Sequence, residues 1–327
     1  MASAAAVAIL LAAVALPADS LGAPPAIVPL SAPQALKTSG EPFGIAIDPQ
    51  GGRAYVTDSR ENTLSVFDLT SGDVLAYIPT GRQPNHVVLF GGRAFVSNFT
   101  DASITVIDTS ANRAVKTLSV GGLGLAINPE TKRLYAAGGS RVSVLDAVTG
   151  ALVADLGAPP GANVWGVAVD PATNRIYATD IANARLLVYD GATNALVGEV
   201  EIDAPARFGI AVGPSGRVSV ASYTDRNAQL SVIDGLAAKV VARVPAGPFT
   251  TSLVANPAGL VYASSSADRT ITAVDPFVRA SLSKVSLPQT PGGLAIHPST
   301  GELLVVTPGG AAPPVRVLVD PVPVIKP

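Results

Sequence analysis

The chain has 327 residues, 48% hydrophobic and 14% charged, with a net charge of −2, no cysteine and two histidines. Those figures exclude disulfides, thiolate metal centres, cysteine nucleophiles and a multi-histidine metal site, and charges so few and scattered form no basic stripe for nucleic acid. Apolar residues are abundant, yet no interior run reaches the roughly 18 consecutive apolar residues that a membrane-spanning helix needs.

From the N-terminus, Ala4 to Leu16 is an uncharged run rich in Ala, Val and Leu, followed by Pro17-Ala18-Asp19-Ser20. Its length suits the hydrophobic region of a signal peptide, although Met1-Ala2-Ser3 brings no Lys or Arg. Residues 1–18 are therefore expected to be a signal peptide, cleaved after Ala15 or Ala18, and the mature protein to be extracytoplasmic: secreted, periplasmic or on the cell surface. Residues 19–33, with Pro24, Pro25, Pro29 and Pro33, read as an extended Pro-rich linker.

Beyond the linker one phrase recurs. A glycine and apolar residues are followed by a turn, often with proline, then by a short strand, then by an apolar strand ending in aspartate. The middle strand reads Tyr55-Val56-Thr57-Asp58, Phe95-Val96-Ser97-Asn98, Tyr135-Ala136-Ala137-Gly138, Tyr177-Ala178-Thr179-Asp180, Ser219-Val220-Ala221-Ser222, Tyr262-Ala263-Ser264-Ser265 and Leu304-Val305-Val306-Thr307. Successive copies lie 40, 40, 42, 42, 43 and 42 residues apart. A period of roughly 40–45 residues with several strands per unit is that of a β-propeller blade. The expected fold is all-β: a seven-bladed β-propeller of four-stranded antiparallel blades over residues 34–320, with a Pro-rich tail at 321–327.

Each unit divides into a first strand (Gly44-Ile45-Ala46-Ile47 and its copies), the tetrapeptide strand, a third strand ending in Asp68, Asp108, Asp146, Asp190, Asp234, Asp275 or Asp320, and a fourth such as Ala114 to Leu118. An aspartate that recurs in every unit serves the unit: it accepts hydrogen bonds from N–H groups two residues on and fixes the turn. The last unit lacks a fourth strand of its own. Residues 34–39 are expected to supply it and close the ring, in preference to 322–325, where Pro321 and Pro323 disfavour pairing.

Tyr55-Val56-Thr57-Asp58, with Leu64 to Asp68 downstream and Gly81-Arg82-Gln83-Pro84 before the next unit, resembles the YVTN family of β-propeller repeats across about residues 34–320. Two copies, at Asp58 and Asp180, end in aspartate where the family carries asparagine; Asn98 matches it, and the fifth unit has Ser219 for the aromatic. The resemblance implies a rigid ring in a mostly extracytoplasmic or surface-associated bacterial or archaeal family. It also brings in similar propellers that act as lactonases and carbon–oxygen lyases.

The chain has no Gly-x-Ser-x-Gly elbow, phosphate loop or His-Glu-x-x-His motif. No cofactor is expected, while carboxylates leave room for an oxygen-bound Ca2+ or Mg2+. What remains is where the repeat breaks on one face. Loops entering the first strand and leaving the second share a rim, and there the sequence places Phe43, Asn85, Trp165, Arg207 and Phe208, with His86 in a glycine position. Second-strand ends add Asp58, Asn98 and Asp180, and Tyr223 follows the fifth. Apolar walls with a few orienting polar groups suit a ligand cleft.

Two functions follow. The first is a non-enzymatic, monomeric binding module whose funnel face takes a small molecule or a protein or cell-surface partner. The alternative is a lactone hydrolase or lyase with His86 as base and Arg207 holding a carboxylate or oxyanion. A structural surface-layer role is the third reading. His297, in Ile296-His297-Pro298, reads as a turn residue on the opposite side.

Overall fold

The computed structural model describes residues 28–29, 40–48, 50, 52–225, 228–297, 299–307 and 315–319. They build an all-β propeller of four-stranded antiparallel blades. Six sheets each take four consecutive strands, within residues 42–79, 84–118, 125–157, 164–201, 210–245 and 250–286. A further four-stranded sheet combines Leu294–Ile296, Leu303–Val306 and Val315–Val319 with Val28–Pro29 on its outside. Innermost strands touch in turn around the axis, and the first, Pro42–Asp48, also meets Leu294–Ile296 of the last.

The closing strand differs from expectation. Val28 and Pro29 pair antiparallel with Val319 and Leu318, so the outer strand comes from within the stretch read as a linker. Residues 34–39 lie outside the described residues. Proline content had argued against pairing there, but an outermost strand needs no N–H on its free side, so Pro29 costs no ladder bond.

Within a blade, alternate side chains reach opposite faces, and both faces meet a neighbouring blade. Tyr55, Phe95, Tyr135 and Tyr177, the aromatics that open the tetrapeptides, are therefore fully buried, as are Leu64, Ile104 and Leu145 of the third strands. One cluster joins Tyr135 and Val144 of the third sheet to Val167 and Ile176 of the fourth; another joins Tyr177 to Ile210 and Val218 of the fifth. The core is thus a ring of inter-blade layers, built by the repeat itself.

The repeated aspartates do what a turn requires. Asp68 Oδ1 accepts from the N–H groups of Thr70 and Ser71 at 2.8 Å each, Asp146 Oδ1 from Val148 at 3.0 Å and Thr149 at 2.8 Å, and Asp190 Oδ1 from Ala192 at 2.9 Å and Thr193 at 3.0 Å. Asp275 does the same for Phe277 and Val278, and Asp320 lies outside the described residues. These N–H donors hold the Asp68, Asp146 and Asp190 carboxyls below the usual range. His297 fills the corresponding role in a first turn: its half-buried ring accepts at Nδ1 from the N–H groups of Ser299 and Thr300, both at 3.3 Å.

Candidate functional site

Four first strands are bulged where they enter the sheet. The register shifts between Pro42 and Ile45, Pro84 and Val87, Val164 and Val167, and Thr250 and Ser252. The residues caught in the bulges are Phe43-Gly44, Asn85-His86, Trp165-Gly166 and Thr251. A bulge frees backbone groups from the ladder and re-aims a side chain, and here the re-aimed side chains are those that line the mouth of the ring.

The third residue of the tetrapeptide secures each bulge. Thr57 Oγ1 accepts from Gly44 N–H at 2.8 Å and donates to the Asn85 carbonyl of the next blade at 2.9 Å. Ser97 Oγ links His86 N–H (3.0 Å) to the Leu123 carbonyl (2.9 Å), Thr179 Oγ1 links Gly166 N–H (2.8 Å) to the Arg207 carbonyl (2.7 Å), and Ser264 Oγ links Ser252 N–H (3.1 Å) to the Gly292 carbonyl (3.0 Å). Where that residue is Ala137 or Val306, the glycine N–H crosses directly: Gly124 to Trp165 O at 2.8 Å and Gly293 to Phe43 O at 2.9 Å. Four of these clasps hold the carbonyl of a residue whose side chain lines the mouth of the ring: Phe43, Asn85, Trp165 and Arg207.

The result is a cavity of about 260 Å³ lined by Phe43, Asn85, Phe99, Trp165, Arg207, Phe208, Tyr223 and Thr251. Phe208 is its hub, with ring centroids 6.1 Å from Phe43 and 5.4 Å from Trp165. The Arg207 guanidinium carbon lies 5.3 Å from the Trp165 ring centroid and 4.2 Å from that of Tyr223, both within cation–π range. No ion pair or side-chain hydrogen bond engages that guanidinium among the described residues. Asn85 Oδ1 is buried and has no hydrogen-bond partner there.

His86 sits below this chamber. It lines a second space of about 60 Å³ with Phe43, Phe208, Thr251, Ser252 and Gly292. Its ring centroid is 4.6 Å from that of Phe208, and Nδ1 donates to the Leu123 carbonyl at 3.0 Å in the neutral tautomer that the contact selects. Burial pushes its pKa down to about 4, against the opposing pull of the Leu123 carbonyl. His86 and Arg207 thus line different spaces, with Phe208 bordering both.

Asp58, Asn98 and Asp180 take no part in either cavity. All are buried at second-strand ends, where they fasten the incoming inter-blade connection. Asp58 Oδ1 accepts from the N–H groups of Glu41 (3.0 Å), Arg60 (3.2 Å) and Glu61 (3.0 Å). Asn98 Oδ1 accepts from Gly81 N–H at 3.1 Å, and Nδ2 donates to Ser103 and Thr105, both at 3.0 Å. Asp180 Oδ1 accepts from Asn163 N–H (2.9 Å) and Ala182 N–H (3.1 Å), and Oδ2 from Asn183 Nδ2 (2.8 Å) and Arg185 Nε (2.9 Å). Burial opposes Asp180 ionisation, but these four donors outweigh it and hold the carboxyl below its usual range. Their spacing matched rim residues because the strand end is near the rim; their hydrogen bonds go to the connecting backbone and to neighbouring side chains, and none faces either cavity.

Two contributors were missed. Phe99, 43% exposed, stands with its ring centroid 6.1 Å from that of Trp165. Phe249 stacks edge-on against Tyr223 at 5.2 Å from a left-handed backbone (φ 48°) that aromatic residues rarely adopt. Phe99 directly follows the Asn98 strand end, as Tyr223 follows Ser222, and that parallel is the signal that could have found it.

The described residues contain no group of three or more His, Asp or Glu side chains placed to hold a metal ion. No helix among them is long and apolar enough to cross a membrane. No protein-family model matches this chain, and no curated protein matches it in sequence. In structure it is similar to the hydrazine synthase of Kuenenia stuttgartiensis, with a TM-score of 0.75, 16% identity, and coverage of 86% of this chain and 96% of that one. At that identity the likeness is one of fold, and the fold it shares is the β-propeller.

Proposed function

We propose that the protein is an exported, seven-bladed propeller of the YVTN-repeat type, its ring closed by an N-terminal strand, that binds a small molecule in the cavity at its funnel mouth. The supporting observation is convergence. Phe43, Asn85 and Trp165 come from the first, second and fourth sheets, and Arg207, Phe208 and Tyr223 from the ends of the fifth, yet they line one space of about 260 Å³. Apolar walls with a few polar groups free of the fold's own hydrogen bonds are what a small-molecule site needs. Rigid clasped strands pre-pay the ordering of those side chains, which favours binding.

Catalysis is the weaker reading. A base must reach the proton it removes, and His86 stands beneath Phe208, in a different space from Arg207.

The test uses the chain's one tryptophan as its reporter, since Trp165 lies in the wall. A metabolite library is screened by Trp165 fluorescence and by thermal shift on the wild type, then by thermal shift on the Trp165→Ala, Arg207→Ala double variant. Ligands that shift the wild type and not the variant support the reading. Ligands that shift both alike place binding elsewhere and overturn it.

A further inference from the structure

We propose that the ligand is a small monocarboxylate carrying one planar apolar ring, its carboxylate on Arg207 and its ring among Trp165, Phe208 and Phe43. The inference rests on the funnel reading above and adds the chemical class.

Charge comes first. The lining contains a single formal charge, that of Arg207, and no Asp or Glu. The guanidinium is positioned by its faces, stacked over Trp165 and Tyr223, while its N–H edge is engaged by no carboxylate or carbonyl side-chain contact among the described residues. Held by its faces and open at its edge, a guanidinium is set for the two parallel N–H···O bonds that a carboxylate accepts. A ligand cation would meet an aromatic surface already occupied by a cation, and would be repelled by it.

Shape and polarity follow. Trp165 and Phe208 are tilted by 40° and stand 5.4 Å apart, and Phe43 closes the side at 6.1 Å from Phe208. These walls favour a flat apolar body, and the volume of about 260 Å³ has room for a ring with a short acidic arm. Asn85 supplies the remaining recognition. Its Oδ1 is buried without a partner, and rotation about its terminal torsion can offer either end of the amide. A rotation that turns this oxygen out of its buried position would let it accept from a ring hydroxyl or N–H opposite the carboxylate and compensate its desolvation.

Four probes that share one skeleton separate the possibilities: phenylacetate, 4-hydroxyphenylacetate, neutral 2-phenylethanol and cationic phenethylamine. Each is titrated into the full-length protein by calorimetry, with Trp165 fluorescence as a second readout. Phenylacetate is expected to bind about tenfold or more tightly than the alcohol and the amine, the usual worth of one charge-assisted contact. 4-Hydroxyphenylacetate should gain a few-fold more, and Asn85→Leu should erase that gain alone. Arg207→Gln should bring the affinity ratio of phenylacetate to 2-phenylethanol down to about one. Arg207→Lys, which keeps the charge without the fork, should retain part of the preference, so a fold defect in one variant does not decide the matter. Alcohol or amine binding as tightly as the acid would overturn the anionic class and leave the funnel reading standing. Failure of all four to bind overturns the class as well, and the library screen then judges the funnel reading separately.

Discussion

Thr179 Oγ1 donates across the blade boundary to the carbonyl of Arg207 at 2.7 Å, and the same oxygen accepts from Gly166 N–H at 2.8 Å. One hydroxyl thus fastens two blades, satisfies a bulged backbone and fixes the residue whose guanidinium faces the cavity. Position and stability share a single hydrogen-bond bridge.

Thr179→Val keeps the shape and leaves Gly166 N–H and Arg207 O without their partner in a buried place. A loss of about 1–3 kcal/mol is expected, read as a lower urea midpoint with unchanged slope. Thr179→Ser should hold near wild type, because the hydroxyl is what matters. Equal midpoints for Val and Ser would show that the bridge carries no stability.

Glycine at the bulge is set by close approach. A Cβ on Gly44 would stand 2.2 Å from the Asn85 carbonyl oxygen, and one on Gly166 would stand 2.6 Å from that of Arg207. Neither neighbour is the end of a flexible side chain, so the blades must part. Gly44→Ala is expected to cost about 1–3 kcal/mol or more and to weaken ligand binding by displacing Asn85. Thermal melts and the library hits measure both effects. A variant with wild-type melting and wild-type binding would contradict the clasp.

His86 makes stability depend on pH. Its folded pKa lies near 4, below its ordinary 6.5, so the unfolded chain takes up the proton first. Stability is then whole above about 6.5 and declines as pH falls towards 4, by up to about 3 kcal/mol at the limit of that shift. His86→Gln, which keeps a donor for Leu123, should flatten this part of the profile. Urea midpoints at pH 7.5, 6 and 4.5 check it, and parallel profiles would refute it. The turn aspartates act lower still: their depressed pKa values contribute stability above the usual carboxylate range that is lost as pH falls through them.

Asp180 and Arg207 should separate structure from binding. Asp180→Ala removes the acceptor of four hydrogen bonds and leaves Arg185, whose side chain is only 19% exposed, with Glu199 as its remaining carboxylate partner. It should cost about 3 kcal/mol or more and change ligand affinity little in the protein that stays folded. Arg207→Ala should change stability by less than about 1 kcal/mol and abolish the response to acidic ligands. The reverse pattern would move Asp180 into the site.

The sequence by itself determined the propeller. Its period, the buried aromatic that opens Tyr55 to Asp58 and its copies, and the aspartates ending the third strands are local rules repeated along the chain. Repetition is legible because each blade buries the same faces against the next. It also carried much of the rim: Phe43, Trp165 and Phe208 are breaks in the repeat, and they meet around the axis. Only the tertiary structure decided which polar residues face the cavity. Asp58, Asn98 and Asp180 lie near that rim in sequence logic, but buried N–H groups of neighbouring connections claim them, and unpaired donors cannot be left in a core. The same holds for His86, whose ring is drawn to the Leu123 carbonyl of another blade. The outer strand at Val28–Pro29 was hidden for a related reason: its pairing partner lies at Leu318–Val319, and a two-residue edge strand with a proline has no pattern of its own. Local order follows from neighbours along the chain; the site follows from which blade comes to rest beside which.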